Sequence, residues 1–243
     1  MSVTEDTIYR VISSVLLGSR IAPGAPLREQ QIADVFGVSR ERVRKVLQRL
    51  GHEQLLELVP NRGAVAAAPT LEHARAIYDA RRILEGGVVG HLAQSMDKAT
   101  AARLERHLAL EAQAAERDDR AQSIRLSAQF HLLLGEATGS EHIVRSVTQL
   151  VSRTSMLVAR FESAQATRCA CEEHQEIFSA LLSGNGAQAM KCMHRHLALV
   201  ETRLRPSPPP APEDPIEAIR TEWQSQGAGR ARPAAKARRP AAG

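Results

Sequence analysis

Aromatic side chains are scarce in this chain of 243 residues: one Trp, two Tyr and four Phe, 3% of all positions. Extended strands favour aromatic and β-branched residues, whereas Ala and Leu recur here throughout. The composition therefore leans to helix and away from a large sheet. Cysteine is almost missing. Cys169, Cys171 and Cys192 are odd in number and unevenly spaced, which excludes a disulfide framework and fits a reducing cytoplasm. No stretch reaches the ~18 uncharged apolar residues of a membrane span. The opening MSVTEDTIYR lacks the basic-then-apolar order of an export signal, so a cytoplasmic location is expected. What is present is apolar material for a core, 43% of residues. The net charge of +5 permits a polyanionic partner without requiring one.

Proline is sparse until the end, where eight of the twelve fall between 206 and 243. Three zones follow. Residues 1–69 close at Pro69, after the small-residue run AVAAA. Residues 70–205 read as nearly unbroken helical periodicity, punctuated by Gly86–Gly87, Gly135, Gly139 and the SGNG at 183–186. Residues 206–243 open with RPSPPPAPEDP and are expected to be disordered, since such a composition buries too little apolar surface to offset the entropy of ordering. Within them Ile216–Trp223 could form a short helix. The stretch 227–243 carries Arg230, Arg232, Lys236, Arg238 and Arg239 and no acid. Two readings of it stay open: salt-sensitive contacts to phosphate, or a solubilising tail.

In the first zone Ile8, Val11, Ile12, Val15 and Leu16 follow the spacing of one apolar helix face over 4–17. After the turn IAPGAPL (21–27), LREQQIADVF (27–36) makes a second short helix. Gly37 stops it, being a residue that tolerates the positive φ of a tight turn. Ser39 is a suitable N-cap for a third helix, in which Val43, Val46, Leu47 and Leu50 face inward. Two short helices joined at a Gly turn, the second opening with arginines, form a helix-turn-helix whose second helix enters the major groove of DNA. LLELVPNRGAVAAA (55–68) then reads as strand, turn, strand, a wing with Leu56, Leu58, Val65 and Ala67 alternating inward and Arg62 at its tip.

The run PGAPLREQQIADVFGVSRERVRKVLQRL, followed by a wing containing Arg62–Gly63, resembles the GntR family of bacterial regulators. Pro23, Gly24, Leu27, Glu29, Ala33, Phe36, Gly37, Val38, Ser39, Arg40, Val43, Arg44, Leu47 and Leu50 match its pattern. Ile32, Arg42 and Val46 stand where the pattern has Leu, Pro and Ala. Gln30 occupies a position that is often basic in relatives. The resemblance implies DNA contacts from Arg40 and Arg44 and from the wing at Arg62 and Gly63. Arg28, Ser39, Arg42, Lys45 and Arg49 complete the candidate set.

The middle zone reads as helices over 71–96, 99–120, 120–138, 141–162, 168–184 and 187–205, a bundle of six or seven joined by short loops. Six histidines lie in it beyond residue 100: His107, His131, His142, His174, His194 and His196. His131, His174 and His196 adjoin the apolar stripes of their helices and could point inward, while His194, two residues from His196, should face elsewhere. Cys171 and Cys192 stand at helical spacing from His174 and His196, as ligands or as small buried residues.

This zone resembles the FCD domain of the FadR-like branch of the same family. The resemblance rests on Tyr78, Arg81, Leu84 and Glu85, on Phe130–His131, on Glu173, His174 and Ile177, and on Met193, His196 and Leu197. It implies a divalent metal, Zn²⁺ or Ni²⁺, on His131, His174 and His196, with a small carboxylate effector completing the coordination. The family's Asp falls at Ser127, whose neutral hydroxyl is a poor ligand. A metal-free pocket in which the histidines bind the effector directly stays open. Arg81 is a candidate for the effector carboxylate or for an ion pair with Glu85. The expected fold class is mainly α: an N-terminal winged helix-turn-helix, then an all-helical effector-binding and dimerisation domain. The expected protein is a homodimeric, non-enzymatic repressor on an inverted-repeat operator. The alternatives are a ligand-independent DNA-binding protein and a His-ligated metal hydrolase, the latter without a recognisable catalytic motif.

Overall fold

The computed structural model describes residues 3–59, 63–68, 70–163, 167–206, 211 and 213–226, with backbone alone at 167–169. The first helix, α1 (Glu5–Leu17), is capped by Thr4, which accepts from the backbone of Thr7, and it buries Ile8, Val11, Ile12, Val15 and Leu16. The helix-turn-helix is α2 (Glu29–Phe36) and α3 (Arg40–His52). Gly37 between them adopts φ +65°, left-handed backbone that costs an L-residue about 1–2 kcal/mol. Ser39 caps α3 and accepts from the Arg42 backbone N–H at 3.4 Å.

The wing is a three-stranded antiparallel sheet ordered β1 (Pro26–Leu27), β3 (Gly63–Ala66), β2 (Leu56–Val59). Two sequence expectations are corrected here. Residues 26–27, read as turn, pair with Ala64 and Val65. The inward set is Leu56, Ala64 and Ala66 rather than Leu56, Leu58, Val65 and Ala67. The register sets Leu56 opposite Ala66 and Glu57 opposite Val65, and partners across an antiparallel pair share a face. Val65 therefore lies on the face of Glu57. Leu58 shares the inner face but is 46% exposed, lying over Gly51 of α3, where an added Cβ would come 2.7 Å from it. Arg62 falls outside the described residues.

After a short 3₁₀ turn (Leu71–His73), six helices build the bundle: α4 (Ala74–Ser95), α5 (Lys98–Glu116), α6 (Arg120–Ala137), α7 (Glu141–Phe161), α8 (Thr167–Leu182) and α9 (Gly186–Arg203). Asp97, Asp119, Ser140 and Asn185 cap α5, α6, α7 and α9, each accepting from a backbone N–H three residues on. The most extensive packing is α4 on α9. Gly86 permits it, since a Cβ there would stand 2.4 Å from His194 Nε2.

Within 206–243 the short helix expected at 216–223 forms as α10 (Pro215–Ser225), so that part of the stretch is ordered. Asp214 caps it and Pro215 opens it, a favourable helix start. Its apolar side returns to the DNA-reading domain. Ala218 and Ile219 are fully buried, the Trp223 ring lies 5.2 Å from that of Phe36, and Arg20 pairs with Glu213 and Glu222. The N-terminal core also takes in Ile124 of α6 and Met156 and Ala159 of α7. The two halves therefore share apolar contacts.

Candidate functional site

His131 lies on α6, His174 on α8 and His196 on α9, and all three are buried. Their Nε2 atoms converge: His196 Nε2 is 3.3 Å from those of both His131 and His174. The opposite edge of each ring meets a carboxylate. His174 Nδ1 donates to Glu111 Oε2 at 2.8 Å, and His196 Nδ1 donates to Glu173 Oε2 at 2.6 Å. His131 Nδ1 lies 2.6 Å from Glu85 Oε2, an ion-pair distance out of line for a hydrogen bond from the ring. Phe130 stacks on His174 with ring centroids 4.2 Å apart.

For His174 and His196 the carboxylate at Nδ1 favours the tautomer with its proton on that nitrogen. A ring that gives its Nδ1 proton to a carboxylate presents a lone pair at Nε2. Two such lone pairs, on His174 and His196, face the Nε2 of His131 in a buried interior, and the three nitrogens form a donor set suited to a divalent cation. The carboxylate–histidine pairing is also how metal-ligating imidazoles are oriented. Burial pushes His131 down to about 4 and His196 to about 3, against the partial opposition of Glu85 and Glu173. Both are neutral at physiological pH, as metal ligation requires. Burial acts to raise the carboxylates, but their partners outweigh it. Arg81 and His131 hold Glu85 far below the usual range, His174 and His107 hold Glu111 at about 2, and His196 and Arg203 hold Glu173 at about 2.

Beside the triad lies a cavity of about 40 Å³, lined by Arg81, Ser123, Ile124, Ser127, His131 and Thr154 among others. Ser123, Ser127 and His131 are spaced four apart, so they share one face of α6. Ser123 Oγ is buried with no hydrogen-bond partner among the described residues. Arg81 lines the cavity but is already engaged, reaching Glu85 at 2.6 and 3.3 Å and Thr154 Oγ1 at 2.8 Å. The ion pair with Glu85 is therefore formed, and a ligand would meet Arg81 as part of that pair. Among the described residues neither Cys171 nor Cys192 joins the cluster. His194 faces α4, 3.0 Å from the Arg82 carbonyl.

Sequence reasoning missed Glu111, Ser123, Thr154, His107 and Arg203 as parts of this site. His107 Nε2 lies 2.9 Å from the Leu126 carbonyl and 3.2 Å from Glu111 Oε1. Arg203 bridges Glu162 and Glu173 at 2.9 and 2.7 Å. The available signal was the i, i+4 spacing of His107 and Glu111 on one helix.

On the DNA-reading side Arg28, Arg40, Arg42, Arg44, Lys45 and Arg49 are all exposed. They divide by flank. Glu29 accepts both Nε and Nη2 of Arg44, at 2.8 and 2.9 Å, and Nη2 of Arg40 at 3.2 Å. Hydrogen bonds from Arg44 lower the Glu29 pKa against burial, with Arg40 adding to the effect. Arg42 and Arg49, seven positions apart, share the flank facing α1. Arg42 donates to the Val3 carbonyl. Arg49 pairs with Asp6 and Glu53, its guanidinium 3.9 Å over the Tyr9 ring. Gly63 opens β3 at φ +86°.

Comparison with known proteins covers both halves. The profile of the bacterial regulatory proteins of the gntR family matches residues 4–65, and that of the FCD domain matches 76–199. The HTH-type transcriptional repressor RspR of Escherichia coli (strain K12) is 25% identical over 201 residues, spanning 82% of this chain and 87% of RspR. The HTH-type transcriptional regulator LutR of Bacillus subtilis (strain 168) is 27% identical, spanning 78% of this chain and 96% of LutR. Among solved structures, E. coli McbR/YncC superposes with TM-score 0.66 at 20% identity, covering 82% of this chain and 97% of that one. A GntR transcriptional regulator from Rhodococcus sp. RHA1 superposes with TM-score 0.65 at 23% identity, covering 82% and 95%. At these identities the two structures bear on the fold alone. Among the described residues no helix is long and apolar enough to cross a membrane. With a winged helix-turn-helix in front, a six-helix bundle behind it and transcriptional regulators rather than enzymes as relatives, the chain belongs to the GntR family of DNA-binding transcriptional regulators, in the FadR-like branch with a C-terminal FCD domain.

Proposed function

We propose that the protein is a homodimeric repressor whose grip on an inverted-repeat operator is set by a small carboxylate effector. The effector binds at a divalent metal, Zn²⁺ or Ni²⁺, held by His131, His174 and His196. The observation that carries this reading is the convergence of three buried Nε2 atoms, each ring backed by a carboxylate. The bound ion would supply a Lewis-acidic anchor for the effector's oxygens. Ser127 stands in the place of the family Asp, and among the described residues the convergent donor set includes no carboxylate. That favours an effector that brings negative charge. Ser123, Ser127 and Arg81 line the space it would occupy.

Residues 1–69 read the operator and 70–205 sense the effector. Arg40, Arg44 and Lys45 are the base- and phosphate-contacting set on α3, with Arg28 and the wing at Arg62 and Gly63 beside them. Ile124 couples the two functions: it lines the effector cavity and belongs to the apolar core under α1. An effector that displaces α6 therefore shifts the platform of the DNA reader. The shift in operator affinity equals the effector's differential affinity for the two arrangements. RspR, a repressor by name, supports the direction of control.

The test selects an operator from random duplexes and titrates it by fluorescence anisotropy, with Zn²⁺ and with a panel of small carboxylates. One carboxylate is expected to change operator affinity ~5–150-fold, the usual range of allosteric coupling. A His131→Ala, His174→Ala, His196→Ala triple variant is expected to bind the same operator without responding. A response that survives in the triple variant contradicts the proposal.

A further inference from the structure

The basic stretch 227–243 lies outside the described residues. Within them, a second cavity has no part in the reading above. It is an open cleft of about 400 Å³ between the DNA reader and the bundle, against about 40 Å³ beside the histidines. The cleft falls in the range of small-molecule sites, roughly 300–1,000 Å³. The smaller cavity has room for little more than water.

Both domains build the cleft. Its floor is apolar. Leu56 of β2 and Met156 of α7 belong to the N-terminal core, and Ile77 of α4 and Leu157 of α7 to the core of the bundle. Its rim is polar. Arg153, Met156 and Leu157 are spaced i, i+3, i+4, so one face of α7 sets a cation beside two floor residues. Arg153 is exposed, and such a side chain lays its stem along an apolar surface while the guanidinium stays in water. Unlike Arg81, it is in no ion pair among the described residues. His73 stands four positions before Ile77 and repeats the pattern at the start of α4. Glu57 is the one carboxylate in the wall. A singly charged anion suits this set, whereas a di- or tricarboxylate would set its further charges against Glu57.

Gln54 joins the cleft to the recognition helix. It follows α3 at φ +60°, its backbone N–H bonded to the Gly51 carbonyl at 3.0 Å, and it lines the cleft. Helix α7 is the wall between the two cavities. Thr154 and Ser155 line the one beside His131, and Arg153, Met156 and Leu157 line the cleft.

We infer that this cleft is a second ligand site, apart from the metal, for a small monoanionic acid with an apolar aromatic or branched body. The anionic group pairs with Arg153, and the body covers Leu56, Ile77, Met156 and Leu157. A molecule seated there touches the end of α3, the wing and two bundle helices at once. The site uses neither the three histidines nor Ser127, so it stands or falls separately from the effector reading.

The probe is anilinonaphthalene sulfonate, an aromatic monoanion that reports apolar surface by fluorescence. It is titrated into the full chain with and without Zn²⁺, and into Arg153→Gln, Ala68→Trp and Arg145→Gln. Ala68 is an exposed residue of the cleft wall, where an indole would fill the space. Arg145 is an exposed arginine of α7 outside the cleft and serves as the control. Neutral phenylnaphthylamine repeats the series. One saturable site per chain is expected, independent of Zn²⁺ and unchanged in Arg145→Gln. Arg153→Gln is expected to weaken the sulfonate ~2–5-fold, as for an ion pair partly in water, and to leave the neutral probe unchanged. Ala68→Trp is expected to abolish saturable binding of both. Equal sulfonate affinity in the full chain and Arg153→Gln overturns the anion site, and binding that survives in Ala68→Trp or appears only with Zn²⁺ overturns the cleft.

Discussion

Replacing Glu111 by Gln keeps the side chain's shape and removes its charge. Glu111 lies behind His174, on the side of the ring away from the converging Nε2 atoms. It accepts the Nδ1 proton of His174 at 2.8 Å and stands 3.2 Å from His107. Its carboxyl is held at about 2: burial raises it, and His174 and His107 outweigh that. It is therefore an anion throughout the neutral range. A Gln in its place accepts more weakly through its oxygen, or turns its amide to the ring. The second orientation moves the ring proton to Nε2 and blocks the lone pair that should ligate. Loss of such an outer carboxylate costs roughly 10–100-fold in metal affinity, about 1.4–2.8 kcal/mol. Competition against a chromophoric zinc chelator measures this directly. Glu176→Gln on the same bundle is the control, because Glu176 is a half-exposed surface residue paired with Arg195. Zinc affinity unchanged in Glu111→Gln but lost in His174→Ala would refute the claim that the carboxylate favours the ligating tautomer of His174.

Arg44→Ala is expected to lose about 1–3 kcal/mol of discrimination at one operator base pair, read by competition with base-substituted duplexes. Arg49→Ala, on the α1 flank, should leave base preference intact and cost about 0.5–1 kcal/mol of stability through the Tyr9 contact. Ser127→Asp restores the family's anionic ligand and is expected to tighten zinc binding by about tenfold, ~1.4 kcal/mol, as isothermal titration would show. Ile219→Ala empties a fully buried site between α10 and the DNA reader and is expected to cost about 2–5 kcal/mol. Calorimetry should show that loss with zinc affinity unchanged.

The sequence makes the helices legible because their signals are local. The apolar stripe of α1, the Gly37 turn and the cap at Ser39 each sit within a few residues of what they determine. The three histidines were legible through family spacing. Their partners were not: a Glu on an amphipathic helix reads as solvent-facing, and only packing turns Glu111 of α5 toward His174 of α8. Strand register failed for a related reason. One residue of slip exchanges the two faces, and Gly63, which the sequence places in the turn, is already the first residue of β3, opposite Val59. The α10 helix was visible as a short periodic stretch, yet its burial depends on Phe36 and Arg20, nearly two hundred residues earlier.

The central claim is that three buried imidazoles hold one metal without the family's Asp. Mass spectrometry of protein purified without chelating resin tests it most directly, alongside the His131→Ala, His174→Ala, His196→Ala variant. The account predicts about one Zn²⁺ or Ni²⁺ per chain, absent from the variant, as expected for a single convergent donor set. A wild-type protein that is metal-free as purified, and that takes up neither ion on dialysis, would contradict it.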